Sequence, residues 1–122
     1  MKSTNEFFDL HDLAQGNPRE LAQGINARIF LGDQAMLSVV RMDPNTEVNL
    51  HSHDEEQWGL LLEGEVIHIQ EGQETPLKAG AFWRTPGGVP HGIRTGAVGA
   101  LVLDIFSPPR EDYTRPGSGY GN

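Results

Sequence analysis

The sequence predicts an all-β protein built as an antiparallel sandwich or barrel. Short runs rich in β-branched, aromatic and other apolar residues recur along most of the chain, and turn signals separate them at short intervals. No long amphipathic helical pattern competes with them. The 15 Gly and 8 Pro residues come in short clusters, which suits tight turns between short strands. We therefore expect about nine strands in a single domain.

The predicted strands begin after residue 24. Residues 1–24 are mixed in pattern, are not assigned to a helix or a strand, and are treated as an N-terminal extension. Nine segments then alternate between apolar and polar residues as strands do. They are residues 26–31, 35–42, 46–53, 57–64, 65–70, 75–80, 81–85, 90–95 and 99–106.

Each predicted strand ends at a recognisable turn. The clearest signals are Asp43-Pro44-Asn45, Glu71-Gly72 and Pro86-Gly87-Gly88, and Pro108-Pro109 ends the last strand. Residues 25–110 therefore form the predicted barrel. The Gly- and Pro-rich residues 111–122 are predicted to be a mobile tail.

Charge and composition exclude several classes of function. The net charge is −8, with 17 acidic against 9 basic residues and no basic stripe, so nucleic acid and anionic membranes are poor partners. A small anionic ligand would need a local arginine. No cysteine is present, which excludes disulfides and thiolate metal sites. No apolar run resembles a signal peptide or a membrane span, and we expect a cytoplasmic protein.

A candidate metal site lies in the stretch LHSHDEEQWGLLLEGE. His51 and His53 are two residues apart, so an extended strand places both imidazoles on one face. Glu55, Glu56 and Gln57 follow and offer oxygen ligands. An isolated pair of this kind can also be two solvated histidines on an edge strand.

Two spaced motifs resemble those of the cupin superfamily. The first reads Asn45, five residues, His51-x-His53, three residues, Gln57, six residues and Gly64, with Asn45 and Gln57 where the family has Gly and Glu. The resemblance implies a jelly-roll barrel, an antiparallel double-stranded β-helix. Asn is the residue that best replaces Gly in a left-handed turn.

The second motif completes the metal site that the resemblance implies. It reads Gly80, five residues, Pro86-x-Gly88, two residues and His91, with Thr95 where the family has Asn. The implied ligands of one divalent ion (Zn, Ni, Fe or Mn) are His51, His53, Gln57 and His91. All four are neutral, which favours Lewis-acid chemistry. Alternatively, Gln57 replaces Glu in an inactive site.

A narrower resemblance, to pectin-degradation cupins of the KdgF type, comes from the stretch DIFSPPREDY. It implies ring opening of 4,5-unsaturated monouronates to linear 4-deoxy-5-keto acids, with Asp104, Phe106 and Arg110 in the site. Asp104 lies in an apolar run, and burial could tune its pKa for proton transfer. Phe106 shares its face and could stack on a sugar, and Arg110 could bind a carboxylate in a bidentate pair.

The same residues also have plainer interpretations. Asp104 could be a structural carboxylate, Phe106 a core residue, and Arg110 a surface arginine paired with Glu111 or Asp112. The barrel could also serve a metal-dependent oxygenase or cyclase, or a module that binds a small ligand without turnover.

Other residues and the assembly state stay open from the sequence. His68 lines the pocket or faces solvent, Arg84 and Arg94 are further candidates for binding an anion, and His11 is expected at the surface. The bulky side chains Trp58, Phe82 and Trp83 are expected in the core or at a dimer contact. The resemblance implies a homodimer, with residues 26–31 and the aromatic pair at residues 7 and 8 as candidate contacts.

Overall fold

The computed structural model of the chain describes residues 6–120. Within that range the chain forms nine β-strands and a short 3-10 helix (Glu111–Thr114). The strands are β1 (Asn17–Ala22), β2 (Ile25–Leu31), β3 (Met36–Met42), β4 (Glu47–His51), β5 (Glu56–Gln70), β6 (Gln73–Lys78), β7 (Phe82–Thr85), β8 (His91–Arg94) and β9 (Ala100–Ser107). The all-β prediction is confirmed.

The long strand β5 belongs to two sheets and joins them. Its first half pairs with β9 and β7, and β9 continues through β3 and β2 to β1. Its second half pairs with β6 and β8, and β8 pairs with β4. Every strand pairing is antiparallel. The two sheets curl around one interior, as the jelly-roll prediction required.

Gly64 lies inside β5 and not at a turn, which corrects the prediction of two separate strands over residues 57–70. Its φ is 88°, and a Cβ there would meet the Gly99 carbonyl oxygen at 2.0 Å. The register also shifts between Leu61 and Glu63. Glycine therefore lets one strand bend and pass from the first sheet to the second. Asn45, with φ of 58°, adopts the left-handed turn that its motif position predicted.

Both ends of the chain contribute more to the barrel than the sequence suggested. Strand β1, within the residues left unassigned, extends the first sheet and buries Leu21. The predicted mobile tail folds back onto the barrel as far as residue 120. The physical reason is that Arg19 on β1 binds its carbonyl groups and Tyr113 is buried, contacts that no local pattern reveals.

The core lies between the two sheets. It is made of the inward-facing residues of alternating strands, among them Ile25, Met36, Leu61, Val66 and Val102. In the part of the chain that the structure describes, no helix is long and apolar enough to cross a membrane.

A candidate metal centre

Three histidines converge at one end of the barrel interior. His51 ends β4 and lies opposite His91, the first residue of β8, while His53 follows β4 by two residues. Their ligand atoms all lie within 4.8 Å of one another. His53 and His91 are buried and His51 is half-buried, so the solvated-edge interpretation does not hold for them.

Backbone carbonyls orient all three imidazole rings. Each Nδ1 lies within hydrogen-bond distance of the backbone carbonyl oxygen of a residue two positions away. The distances are 3.0 Å from His51 to Asn49, 3.1 Å from His53 to Glu55 and 2.9 Å from His91 to Val89. A carbonyl only accepts, so each Nδ1 must carry the proton and donate it. In a neutral ring the Nε2 atom then keeps its lone pair, which faces the centre.

Gln57 brings an oxygen into the same cluster. Its Oε1 lies 3.0 Å from Nε2 of His53 and 3.1 Å from Nε2 of His91. Burial, with a contribution from the positive charge of Arg110, lowers the pKa of His53 to about 4, and burial likewise lowers the pKa of His91 to about 4. At neutral pH the nitrogens and the oxygen are therefore all acceptors.

Acceptors gathered without a proton between them repel one another, and a cation relieves that repulsion. The donor set therefore fits a divalent metal ion, and three imidazoles with one amide oxygen suit Zn, Ni, Fe or Mn. Glu56 faces the opposite side of β5, where its carboxylate pairs with Arg84. Gln57 therefore faces the histidines and Glu56 faces away, as the alternation of side chains along a strand predicted.

Asp104 lies next to this cluster, in the interior cavity. The cavity lies between the sheets, and Gln57 also lines it. Desolvation raises the pKa of Asp104 to about 7, against the opposing effects of a hydrogen bond from Gln57 and the positive charge of Arg110. Asp104 can therefore exchange a proton near neutral pH beside the candidate metal ligands.

Phe106 and Arg110 complete this side of the cavity. The Phe106 ring is buried and packs edge-on against His53 at 5.5 Å between ring centroids. Arg110 is only 2% exposed, lies over the Tyr113 ring at 4.3 Å, and has Glu55 as its nearest carboxylate at 3.9 Å. The alternative of a surface arginine paired with Glu111 or Asp112 is therefore wrong.

Three cavity residues were not assigned to the site from the sequence. His68 is buried, faces the cavity and packs on Trp83 at 4.9 Å; its alternation with Val66 was the available signal. Tyr113 and Tyr120 reach the cavity from the C-terminal segment, and no periodicity signals them. Burial raises the pKa of both tyrosines to about 12, so both phenols stay protonated.

Several candidates lie away from the site. Arg84 and Arg94 lie on exposed surfaces, paired with Glu56 and Glu74 respectively, so neither faces the histidines. Trp58 and Phe82 are 43% and 70% exposed, which excludes them from the core of the single chain. His11 is exposed, as the sequence predicted.

The chain belongs to the cupin family, because the family model described as "Cupin domain" matches residues 38–106, more than half of the chain. It is similar to the pectin degradation protein KdgF of Dickeya dadantii (strain 3937), at 28% identity over 96 residues that cover 77% of this chain and 87% of that protein.

Two solved structures agree closely in fold. A RmlC-like cupin from Shewanella frigidimarina NCIMB 400 has a TM-score of 0.80 at 25% identity, covering 93% of this chain and 99% of its own. KdgF from Halomonas sp. has a TM-score of 0.78 at 27% identity, covering 89% and 98% respectively. Both the sequence and the structure are thus KdgF-like.

Proposed function

We propose that this protein is a metal-dependent enzyme that converts 4,5-unsaturated monouronates, released from pectin or alginate, into linear 4-deoxy-5-keto uronates. The observation that carries this is the position of Asp104, which lines the same cavity as His51, His91 and Gln57 and whose pKa burial raises to about 7. The similarity to the KdgF proteins supports the substrate class.

The reaction requires one proton to leave the anomeric hydroxyl while the bond from C1 to the ring oxygen breaks. The resulting enol at C5 then takes a proton at C4 and becomes the ketone, so atoms balance without a redox partner. A divalent ion held by the three histidines and Gln57 would supply Lewis-acid polarisation of a substrate oxygen. Asp104 accepts the first proton and returns it, which its pKa near 7 suits.

Arg110 is proposed to bind the substrate carboxylate. Its guanidinium lies at the cavity wall beside Phe106, at 5.6 Å from the ring centroid, and a buried guanidinium is a strong partner for a planar carboxylate. In the chain alone it donates to the backbone carbonyl of Tyr120 and lies 3.9 Å from Glu55. Phe106 provides an apolar face for the sugar ring.

The direct test is a time course with unsaturated monouronates generated by pectate and alginate lyases, with and without chelator. We expect loss of the conjugated double bond, abolished by chelator and restored by a divalent ion. Asp104→Asn should lower turnover at least ~100-fold, the usual contribution of an acid–base group. The exposed control Asp33→Asn should turn over normally. No loss of the double bond with either substrate would refute ring opening.

The rival functions give different outcomes in the same assay. An oxygenase would need O₂, whereas ring opening runs anaerobically, so oxygen uptake would favour the oxygenase. Tight binding of a uronate with no product would favour a module that only binds its ligand.

We further propose that the protein acts as a cytoplasmic homodimer. The outer face of the first sheet carries an apolar patch beside the Glu56–Arg84 ion pair: Leu37, Ile105 and Trp58 are adjacent in register across β3, β9 and β5, and Phe82 on β7 neighbours Leu60. Leu37, Trp58 and Phe82 are each more than a third exposed in the single chain. A second copy would remove this face from water.

A further inference from the structure

The C-terminal segment of residues 115–120, termed the strap, is attached to β1 by one buried arginine. Arg19 is 7% exposed, and its guanidinium donates only to backbone carbonyls of the C-terminal chain. The acceptors are Gly119 (2.8 Å), Asp112 (3.0 Å), Ser118 (3.0 Å) and Arg115 (3.3 Å). The Gly119 amide also donates to the Glu20 carbonyl at 2.8 Å.

The strap delivers Tyr120 to the metal centre. Its ring stacks on His51, with centroids 5.2 Å apart and planes 19° from parallel. Arg110, the proposed carboxylate-binding residue, donates to the Tyr120 carbonyl. The phenol hydroxyl is buried, and it has no hydrogen-bond partner among residues 6–120. A buried hydroxyl of this kind calls for a partner, because a phenol both donates and accepts.

The strap also closes the cavity. The lining residues lie in strands except for three that follow β9, namely Arg110, Tyr113 and Tyr120. With these in place the cavity holds ≈ 50 Å³, whereas sites for small organic ligands usually measure about 300–1,000 Å³. This interior cavity is therefore too small for a sugar acid while Tyr120 keeps its present position, and an open depression of ≈ 300 Å³ on the side of His53 shares Arg110 with it. The strap is the part of the lining that can move without breaking a strand pairing.

We propose that the strap lifts from β1 to admit the ligand, and that Tyr120 hydrogen-bonds a hydroxyl or carboxylate oxygen of the bound ligand. The identity of the ligand as a hydroxylated sugar acid rests on the proposed function. The released Arg110 guanidinium becomes available to the ligand carboxylate when the Tyr120 carbonyl moves away. Arg19 is a positioning residue that sets the closed position; it lies over the Tyr113 ring at 4.8 Å and does not itself line the cavity.

Hydrogen exchange at the Gly119 amide tests the strap without any turnover. Galacturonate, added to the metal-loaded full chain, should speed exchange at Gly119, because a strap displaced by the ligand loses the bond to Glu20. Arg19→Lys should speed the exchange of the free protein at least ~10-fold, since a lysine ammonium cannot reproduce the planar set of N–H donors of the guanidinium. The matched control Arg28→Lys, whose arginine binds the Gly16 carbonyl, should leave Gly119 unchanged. Equal exchange in Arg19→Lys and wild type would overturn the role of Arg19 in holding the strap.

Tyr120→Phe tests the ligand contact, because it keeps the ring stack and removes only the hydroxyl. We expect about 3- to 10-fold weaker galacturonate binding by calorimetry, the loss of one neutral hydrogen bond, with metal content unchanged. Unchanged affinity would overturn the role of Tyr120.

The two proposals fail in distinguishable ways. If galacturonate binds wild type and speeds exchange at Gly119 but no unsaturated uronate is turned over, the strap stands and ring opening fails. If wild type turns over the substrate and Tyr120→Phe has the same KM, ring opening stands and the tyrosine contact fails.

Discussion

Gln57 and Asp104 lie on the neighbouring strands β5 and β9 and line the same cavity, where Gln57 lowers the pKa of the Asp104 carboxyl against the larger effect of burial. The Gln57 oxygen lies 3.0 Å from Nε2 of His53, so its NH₂ group is the part that can donate to the carboxylate. One neutral side chain thus separates the proposed proton carrier from the metal ligands and orients both. A glutamate at this position, as in the usual cupin motif, could not donate to Asp104 at neutral pH.

Exchanging the amide for a carboxylate should therefore separate metal binding from catalysis. In Gln57→Glu we expect tighter metal binding, because an anionic ligand is added, and at least ~10-fold slower turnover, because two adjacent carboxylates raise the pKa of the pair. Chelator competition and the pH profile of turnover measure the two effects. Glu56→Gln, on the exposed side of the same strand, is the matched control and should change neither. Similar effects in both variants would contradict the role of Gln57.

Removing the Asp104 charge should stabilise the metal-free protein at neutral pH. Burial raises the pKa of the Asp104 carboxyl from its ordinary value of 3.8 to about 7, so the folded state binds more protons between these values and stability falls as pH rises through this window. Asp104→Asn should remove that slope and gain on the order of 2 kcal/mol at pH 8. Urea unfolding of the metal-free protein from pH 4 to 8 measures this. An unchanged slope would mean that Asp104 is well solvated.

His68 should contribute the opposite slope. Its pKa is lowered by burial from 6.5 to about 4, so the unfolded chain binds more protons between these values and stability falls as pH falls from 6.5 to 4. His68→Gln should flatten the acid side of the profile by up to about 3 kcal/mol at pH 4. His11→Gln, at an exposed position, serves as the control and should behave as wild type. If stability depends on pH in the same way in wild type, His68→Gln and His11→Gln, His68 is not buried in its neutral form.

Metal removal should lower the thermal midpoint. A ligand that binds only the folded state stabilises it by about 2.7 kcal/mol at 100 times its Kd. Because each kcal/mol shifts the midpoint by roughly 2–8 °C in domains of this size range, we expect a shift on the order of 10 °C. His91→Ala should lose both the bound metal and this shift, whereas His11→Ala should keep both. Calorimetric melting with and without chelator measures the midpoint, and metal analysis measures the bound ion. A midpoint insensitive to divalent ions would argue against the centre.

A charge on the outer sheet face should dissociate the proposed dimer. Phe82 is 70% exposed, and Phe82→Asp would place a carboxylate within the apolar face. We expect a monomer by light scattering at micromolar concentration with unaltered circular dichroism. Val98→Asp, at an exposed loop position, is the control. A wild-type chain that is itself monomeric would remove the basis for the dimer.

Much of the fold and of the metal cluster follows from local pattern. Strand alternation placed Gln57 on the inner side of β5 and Glu56 on the outer side. It does not account for the two histidines, because the register of β4 shifts between Val48 and His51 and His53 lies beyond the end of the strand. The bend at Gly64 was mistaken for a turn because a glycine in a strand and a glycine in a turn look alike when the pairing is unknown.

The sequence by itself determined most of the β-strands and turns and the spacing of the candidate ligands, because these depend on residues close together in the chain; it missed β1 and divided β5 at Gly64. Only the tertiary structure decided that Arg110 is buried, that His68 faces the cavity and that Tyr120 stacks on His51. Those outcomes depend on contacts across nearly the whole chain, such as Arg19 with Gly119. A Gly- and Pro-rich tail has no periodicity from which its contact with Arg19 could be predicted.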